Sequence, residues 1–151
     1  MNAKSIKFLM NIYPPYLGAG IRVQRISADY REAVVTMKLH WYNRNYVGTH
    51  FGGSLGAMVD PFFMLMLINV LGEEYIVWDQ EAAIRFIRPG QGRVEARFHL
   101  NQEQIDEIIA QTQSGAVFRP EYSVDIVDEE GKIVAQAKKR EYIRKKMNKK
   151  S

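Results

Sequence analysis

Between Phe51 and Leu71 the chain has only three clearly polar side chains, Ser54, Asp60 and Asn69. A stretch this long and this apolar leaves a fold few choices. As a helix it is long enough to cross a bilayer, which takes about 20 apolar residues. The Asp60–Pro61 pair near its middle, the glycines clustered at its start and the lack of a lipid-facing aromatic belt argue against a span. The alternative is a helix apolar on every side, which a water-soluble domain must enclose with the rest of its fold. Asp60 then needs its own explanation, because an ionised carboxylate loses hydration when buried.

The flanking segments supply the enclosure. Ile21–Tyr30 and Ala33–Leu39 alternate apolar and polar residues around the short polar link DYRE, which reads as an antiparallel hairpin. Residues 40–50 are rich in turn formers and aromatics without a period, so they read as a loop. Tyr75–Arg88, Arg93–Leu100, Val117–Val127 and Lys132–Arg144 are further strand candidates. Pro89–Gly90 with Gly92 is expected to turn the first two into a hairpin, and Asp128–Lys132 the last two. Pro120 predicts an edge or a bulge in its strand. Asn101–Gln113 reads as a surface helix capped by Asn101, with Ile105, Ile108 and Ile109 on one face. The N-terminus lacks the apolar run and cleavage site of a signal peptide. It reads as a short amphipathic helix over residues 1–13 with Ile6, Phe8, Leu9 and Ile12 on one side, ended by Pro14–Pro15. The order implies an α+β domain over residues 1–144, a long central helix against a mostly antiparallel sheet of about five or six strands. A chain of 151 residues buries a core large enough to stand without staples.

Composition removes several chemistries. There are no cysteines, which excludes disulfides, thiolate metal sites and a cysteine nucleophile, and fits a reducing cytoplasm. The net charge of +4 is concentrated at the C-terminus. There Lys138, Lys139, Arg140, Arg144, Lys145, Lys146, Lys149 and Lys150 are opposed by Glu141 alone, so residues 1–137 are net acidic. The tail over 145–151 is expected chiefly to aid solubility, with the phosphates of a nucleotide-bearing ligand or an RNA as the other partners.

The pattern Asn45-x-x-Gly48-x-x-Phe51-Gly52-Gly53, with Asp60 seven residues further on, resembles the signature of the hotdog-fold acyl-CoA thioesterases. The nearest branch is the phenylacetyl-CoA thioesterase type and a related thioesterase-like group. In the better-known branch the motif runs Asn-x-x-Gly-x-x-His-Gly-Gly with an acid at the same offset. IRFIRPGQGRVEARF resembles the family's strand–turn–strand after the helix, and VDIVDEEGKIVAQA its last hairpin. The resemblance implies a hotdog fold and thioester hydrolysis. Asp60 would be base or nucleophile, Gly53 the oxyanion donor, and Asn45 would orient water or substrate. It further implies a homodimer or dimer of dimers, with the glycine and the acid of one site on different chains. Coenzyme A enters only as part of the substrate, with no separate cofactor.

The residues carry their own physics beside that resemblance. Glycines at a helix start allow close backbone approach, and the first N–H groups there have no intrahelical partner. Such donors, with the positive end of the helix dipole, hold a developing oxyanion. Equally, the glycines serve tight loop-to-helix packing. A carboxylate shielded by Met58, Phe62 and Phe63 would have a raised pKa and suit a general base. The competing reading makes Asp60 an N-cap with Pro61 at the first helical position. Asn45 in a loop is also a common turn former.

One departure stands out: Phe51 holds the family's histidine position and His50 lies one residue earlier. Candidate substrate contacts are Gly52, Phe51, His50 and Phe63, with Arg85 and Arg88 (and Arg93 beyond the turn) toward the nucleotide end of the substrate. Phe62, Phe63, Met64 and Met66 shape a pocket or are plain core. His40 and His99 have no ligand-spaced partner for a metal. Three functions remain in order: thioester hydrolysis, acyl-ligand binding without turnover, and nucleic-acid binding through the tail.

Overall fold

The computed structural model describes residues 1–148, so Lys149 and Lys150 of the basic tail lie outside the described residues. Helix α1 (Ala3–Ile12) is capped by Asn2, whose Oδ1 accepts from Ser5 N–H at 2.9 Å. It buries Ala3 and Ile6 and leaves Phe8, Leu9 and Ile12 exposed. The expected single apolar side is therefore split, since two residues of helix turn the chain by about 200°. Pro14 does more than end this helix: it occupies the first turn of a second, α2 (Pro14–Ala19), where its missing N–H costs nothing.

The expected hairpin follows, β1 (Ile21–Ile26) with β2 (Glu32–Lys38). The remaining strands are β3 (Tyr75–Phe86), β4 (Arg93–His99), β5 (Glu121–Val127) and β6 (Ile133–Lys145), in one six-stranded sheet of order β1-β2-β4-β5-β6-β3. Every pairing is antiparallel. The hairpin expected at Asp128–Lys132 forms, with Asp128 Oδ1 accepting from Glu130 and Lys132 N–H. The one expected at Pro89–Gly92 does not. Gly92 does turn the chain with φ +64°, but β3 pairs with β6 at the sheet edge while β4 lies between β2 and β5. A local turn cue fixes a change of direction; the partner is chosen by which strand completes the buried face. Pro120 neither bulges nor edges its strand. It precedes β5, and its carbonyl accepts Glu141 N–H at 3.0 Å.

The apolar run forms α3 (Gly52–Val59) and α4 (Phe62–Leu71), broken at Asp60–Pro61 and ended by Gly72 at φ +80°. Gly52–Leu71 is long and apolar enough to span a bilayer, yet the sheet wraps it along one side. Leu55, Met58, Val59, Phe62, Phe63, Met66 and Leu67 are buried in a repeating stripe. Phe62 and Phe63 meet Phe98 at ring-centroid distances of 5.0 and 5.2 Å, and Phe63 meets Tyr122 at 5.4 Å. The opposite stripe, carrying Gly53, Asp60 and Ile68, is exposed, so the helix is enclosed on one face only. Helix α5 (Gln102–Thr112) begins at the expected Asn101, in a capping box with Gln104; Ile105 and Ile108 are buried and Ile109 points outward.

Candidate active site

The N-terminal end of α3 is set by the loop before it. Asn45 Oδ1 accepts from Val47 and Thr49 N–H at 3.1 and 2.9 Å, and its Nδ2 donates to Thr49 Oγ1 and His50 O at 2.8 and 3.3 Å. Asn45 is thus committed to folding its own loop. His50 is buried, with Nε2 2.8 Å from Gly92 O, and its backbone N–H donates to Gly90 O, so it ties this loop to the β3–β4 connection. Burial holds the imidazole below its ordinary pKa, partly opposed by the bond to Gly92. The ring is thus fixed through Nε2, while its Nδ1 has no partner among the described residues.

Ser54 and Leu55 N–H both donate to Phe51 O, at 3.0 and 3.1 Å. Among the described residues nothing accepts the N–H of Gly52 or Gly53. These are the orphan donors of a helix start. Both glycines also sit under aromatic rings. A Cβ at Gly53 would come within 2.6 Å of the Phe51 ring, and one at Gly52 within 2.9 Å of the Phe86 ring. The two rings are each 55% exposed. The glycine pair therefore serves close packing and leaves its amides available.

Two turns on, the helix kinks. Pro61 has no N–H to give Ala57 O, and that carbonyl accepts instead from Asp60 N–H at 3.3 Å and from Tyr16 OH at 2.8 Å. The Asp60 carbonyl accepts from Lys139 Nζ at 2.7 Å. The Asp60 side chain caps nothing; no side-chain bond closes the start of α4. It is exposed, and Met58, Phe62 and Phe63 point the other way into the core, so the expected apolar shield around this carboxylate is absent. Spacing explains most of it: at 100° per residue, residue 60 stands about 160° round the helix from Met58 and from Phe62.

Gly53, Gly56, Ala57 and Asp60 recur at helical spacing and form one wall of a cleft of about 390 Å³; Ala82, Ala83 and Ile84 of β3 and Ala137 and Lys139 of β6 form the other. A neighbouring cleft of about 420 Å³ lies at the helix start, lined by Asn45, His50, Gly52, Leu55, Phe86, Arg88 and Gly90 among others. The two together run the length of α3's open face.

A family profile described as a domain of unknown function, DUF4442, matches residues 3–143. The chain belongs to the DUF4442 family. No curated protein matches it significantly in sequence. Among solved structures, this DUF4442 chain resembles PA5026 of Pseudomonas aeruginosa, a protein of unknown function named as a probable thioesterase, at 18% identity and TM-score 0.81 over 95% of both chains. It also resembles the thioesterase HI1161 of Haemophilus influenzae, at 16% identity and TM-score 0.69 over 100% of this chain and 96% of the other. A variant of the phenylacetic acid degradation protein PaaI of Thermus thermophilus aligns at 25% identity and TM-score 0.59, over 85% and 97%. The DUF4442 domain has the hotdog fold of these thioesterase-like proteins: a central helix in a curled antiparallel sheet.

Of the residues expected at the site, the DUF4442 fold brings Gly53 and Asp60 to one cleft and Gly52, His50, Asn45 and Arg88 to its neighbour. Arg85 and Arg93 are exposed outside both. Phe63 is 2% exposed in the core and lines neither, because it lies on the sheet side of α4. Among the described residues no cluster of metal-ligating side chains occurs, and His40 stacks on Tyr42 instead. Four residues were missed: Tyr16, Asp79, Lys139 and Glu141. The cue for two of them was present, since alternation along β6 puts Lys139 and Glu141 in one row with Ala135, Ala137 and Ile143.

Proposed function

We propose that this protein hydrolyses an acyl-CoA-type thioester. The observation that carries the reading is the open face of α3, where the unpaired Gly53 amide and the Asp60 carboxylate border one cleft walled by small residues. In the proposed reaction Asp60 takes a proton from water, whose oxygen attacks the thioester carbonyl. The carbonyl oxygen becomes an oxyanion held by Gly53 N–H and the helix dipole. The tetrahedral intermediate then expels the thiolate, which takes the proton back from Asp60 as the acid leaves. Direct attack by Asp60, followed by hydrolysis of the anhydride, is the alternative route through the same residues.

Two copies of the chain are needed for one site. Seven residues of helix separate Gly53 from Asp60 by about 10 Å along the axis. A base and an oxyanion donor acting on one carbonyl must each lie about 3 Å from the reacting atoms, so the pair within one chain is too far apart. A two-fold arrangement that sets Gly53 against the partner's acid closes that gap. Strand β3 supports such pairing: it is a sheet edge of 12 residues with an unpaired outer side. Asn45 acts by shaping the loop that leads into Gly53. A cysteine-free chain suits a cytoplasmic setting.

The test is release of free thiol from a panel of acyl-CoA substrates by wild type and Asp60→Asn. The expected outcome is a loss in kcat of at least about 100-fold in a folded variant. Equal rates would remove Asp60 from the mechanism. A second reading, acyl-ligand binding without turnover, is favoured by Phe51, whose ring covers Gly53 where the motif has histidine. It expects an acyl-CoA to raise the melting temperature while thiol release stays at background.

A further inference from the structure

β6 carries two ionisable side chains on its buried face directly behind the helix kink. Lys139 is 1% exposed and Glu141 0%. Lys139 Nζ donates to Asp60 O at 2.7 Å and lies 3.2 Å from Asp79 Oδ2. Asp79, on β3, is the direct register partner of Glu141. Three buried oxygens, Asp79 Oδ1 and both of Glu141, have no donor among the described residues. Carboxylates only accept, so two ionised acids here would leave these oxygens facing one another unsatisfied. One proton, carried by Glu141 and donated to Asp79, removes the conflict and leaves Asp79 as the counterion of Lys139. The order is then Glu141–H to Asp79, Asp79 to Lys139, and Lys139 to the carbonyl of Asp60.

The kink makes that last contact consequential. Where a straight helix fixes each carbonyl with an amide four residues on, Asp60 O is fixed by a side chain from the sheet. Lys139 also lines the cleft that Asp60 borders. A lysine buried this deeply loses hydration that only pairing offsets, and a core is easily built without one. We propose that Lys139 is a positioning residue for Asp60: anchored by the Asp79–Glu141 pair, it holds the kink carbonyl and so sets where the Asp60 carboxylate stands in the cleft. The inference rests on the hydrolytic reading of Asp60 for its effect on rate, though not for the contact itself.

The groups facing this network come from every element packed on it. They are Asp60 at the α3–α4 junction, Asp79 from β3, Tyr122 from β5, and Lys139 with Glu141 from β6; Tyr16 of α2 lies beside Asp60, and Glu107 of α5 beside Tyr122. Burial, then the bond and charge of Asp79, push Glu141 up to about 9, which agrees with the proton placed on it above.

The experiment compares wild type with Lys139→Met and Asp79→Asn, each checked for fold by circular dichroism. Lys139→Met keeps an unbranched apolar stem and removes the ammonium group. The expected result is a fall in kcat of about 10- to 100-fold with KM within about twofold, the signature of a displaced catalytic group. Asp79→Asn, which removes the counterion of Lys139 at a less deeply buried position, should shift kcat in the same direction and decides the matter if Lys139→Met does not fold. Wild-type kcat in the folded variants overturns the proposal. If wild type turns over no acyl-CoA, the hydrolytic reading fails separately. The contact is then read from the backbone carbonyl ¹³C chemical shift of Asp60, which Lys139→Met should displace by removing its donor; an unmoved shift overturns it.

Discussion

Glu141 is an acid on the buried face of a strand, and its neighbours oblige it to keep a proton at neutral pH. In the unfolded chain it ionises near the ordinary glutamate value. The folded state therefore binds the extra proton between that value and about 9. Below the window both states are protonated and the residue costs nothing; stability is lost as pH rises through it. Glu141→Gln, which keeps the donor and removes the ionisation, should leave the melting temperature unchanged at pH 4 and raise it by several degrees at pH 8. Paired thermal melts at the two pH values check this. Gly53 makes a second case at the same scale. Gly53→Val must push Phe51 off the helix start, so it should lower kcat by at least about 10-fold with little change in melting temperature, read from thiol release and a melt.

At the scale of the element, the decisive object is the broken helix. Pro61→Ala supplies the missing N–H and lets Ala57 O return to an intrahelical bond. The expected outcome is an unchanged or higher melting temperature with reduced turnover, because a straighter helix withdraws Asp60 from Lys139. Tyr16→Phe removes the other support of the kink and should cost about 1 kcal/mol, or about 2–4 °C in a melt for a chain of this size. The sequence shows clearly where elements lie: the β5–β6 turn at Asp128–Lys132, the Asn101 cap and the apolar run all follow from local chemistry. What it hides is partnership. Whether β3 joins β4 or β6, and whether Asp60 is shielded or open, depends on residues far away in the chain. The same holds for Lys139, which reads as one charge in a basic tail until the strand's alternation turns it inward.

For the whole molecule, the proposed site between two copies makes a prediction that single-chain variants cannot. Asp60→Asn and Gly53→Val should each be strongly impaired alone. Unfolded and refolded together in equal amounts, they should regain about a quarter of wild-type activity, since half of the dimers are mixed and each carries one intact site. No recovery would place glycine and acid on the same chain. Part of the C-terminal charge lies on the outer face of β6, where Lys138 and Arg140 stand 4.0 and 3.4 Å from Glu121 at the surface. The edge strand β3 holds one more consequence. Between Asp79 and Glu81 the register with β6 slips by one residue, so Asp79 opposes Glu141, Glu81 opposes Arg140 and Gln80 has no counterpart. Inward-facing positions run Tyr75, Val77, Asp79 and then Ala82, Ile84. A relative whose strand lacks this bulge would keep every side chain on its proper face with one residue fewer. Aligned to this chain, it would show a single-residue gap at Gln80, in the middle of a strand, where insertions and deletions are least expected.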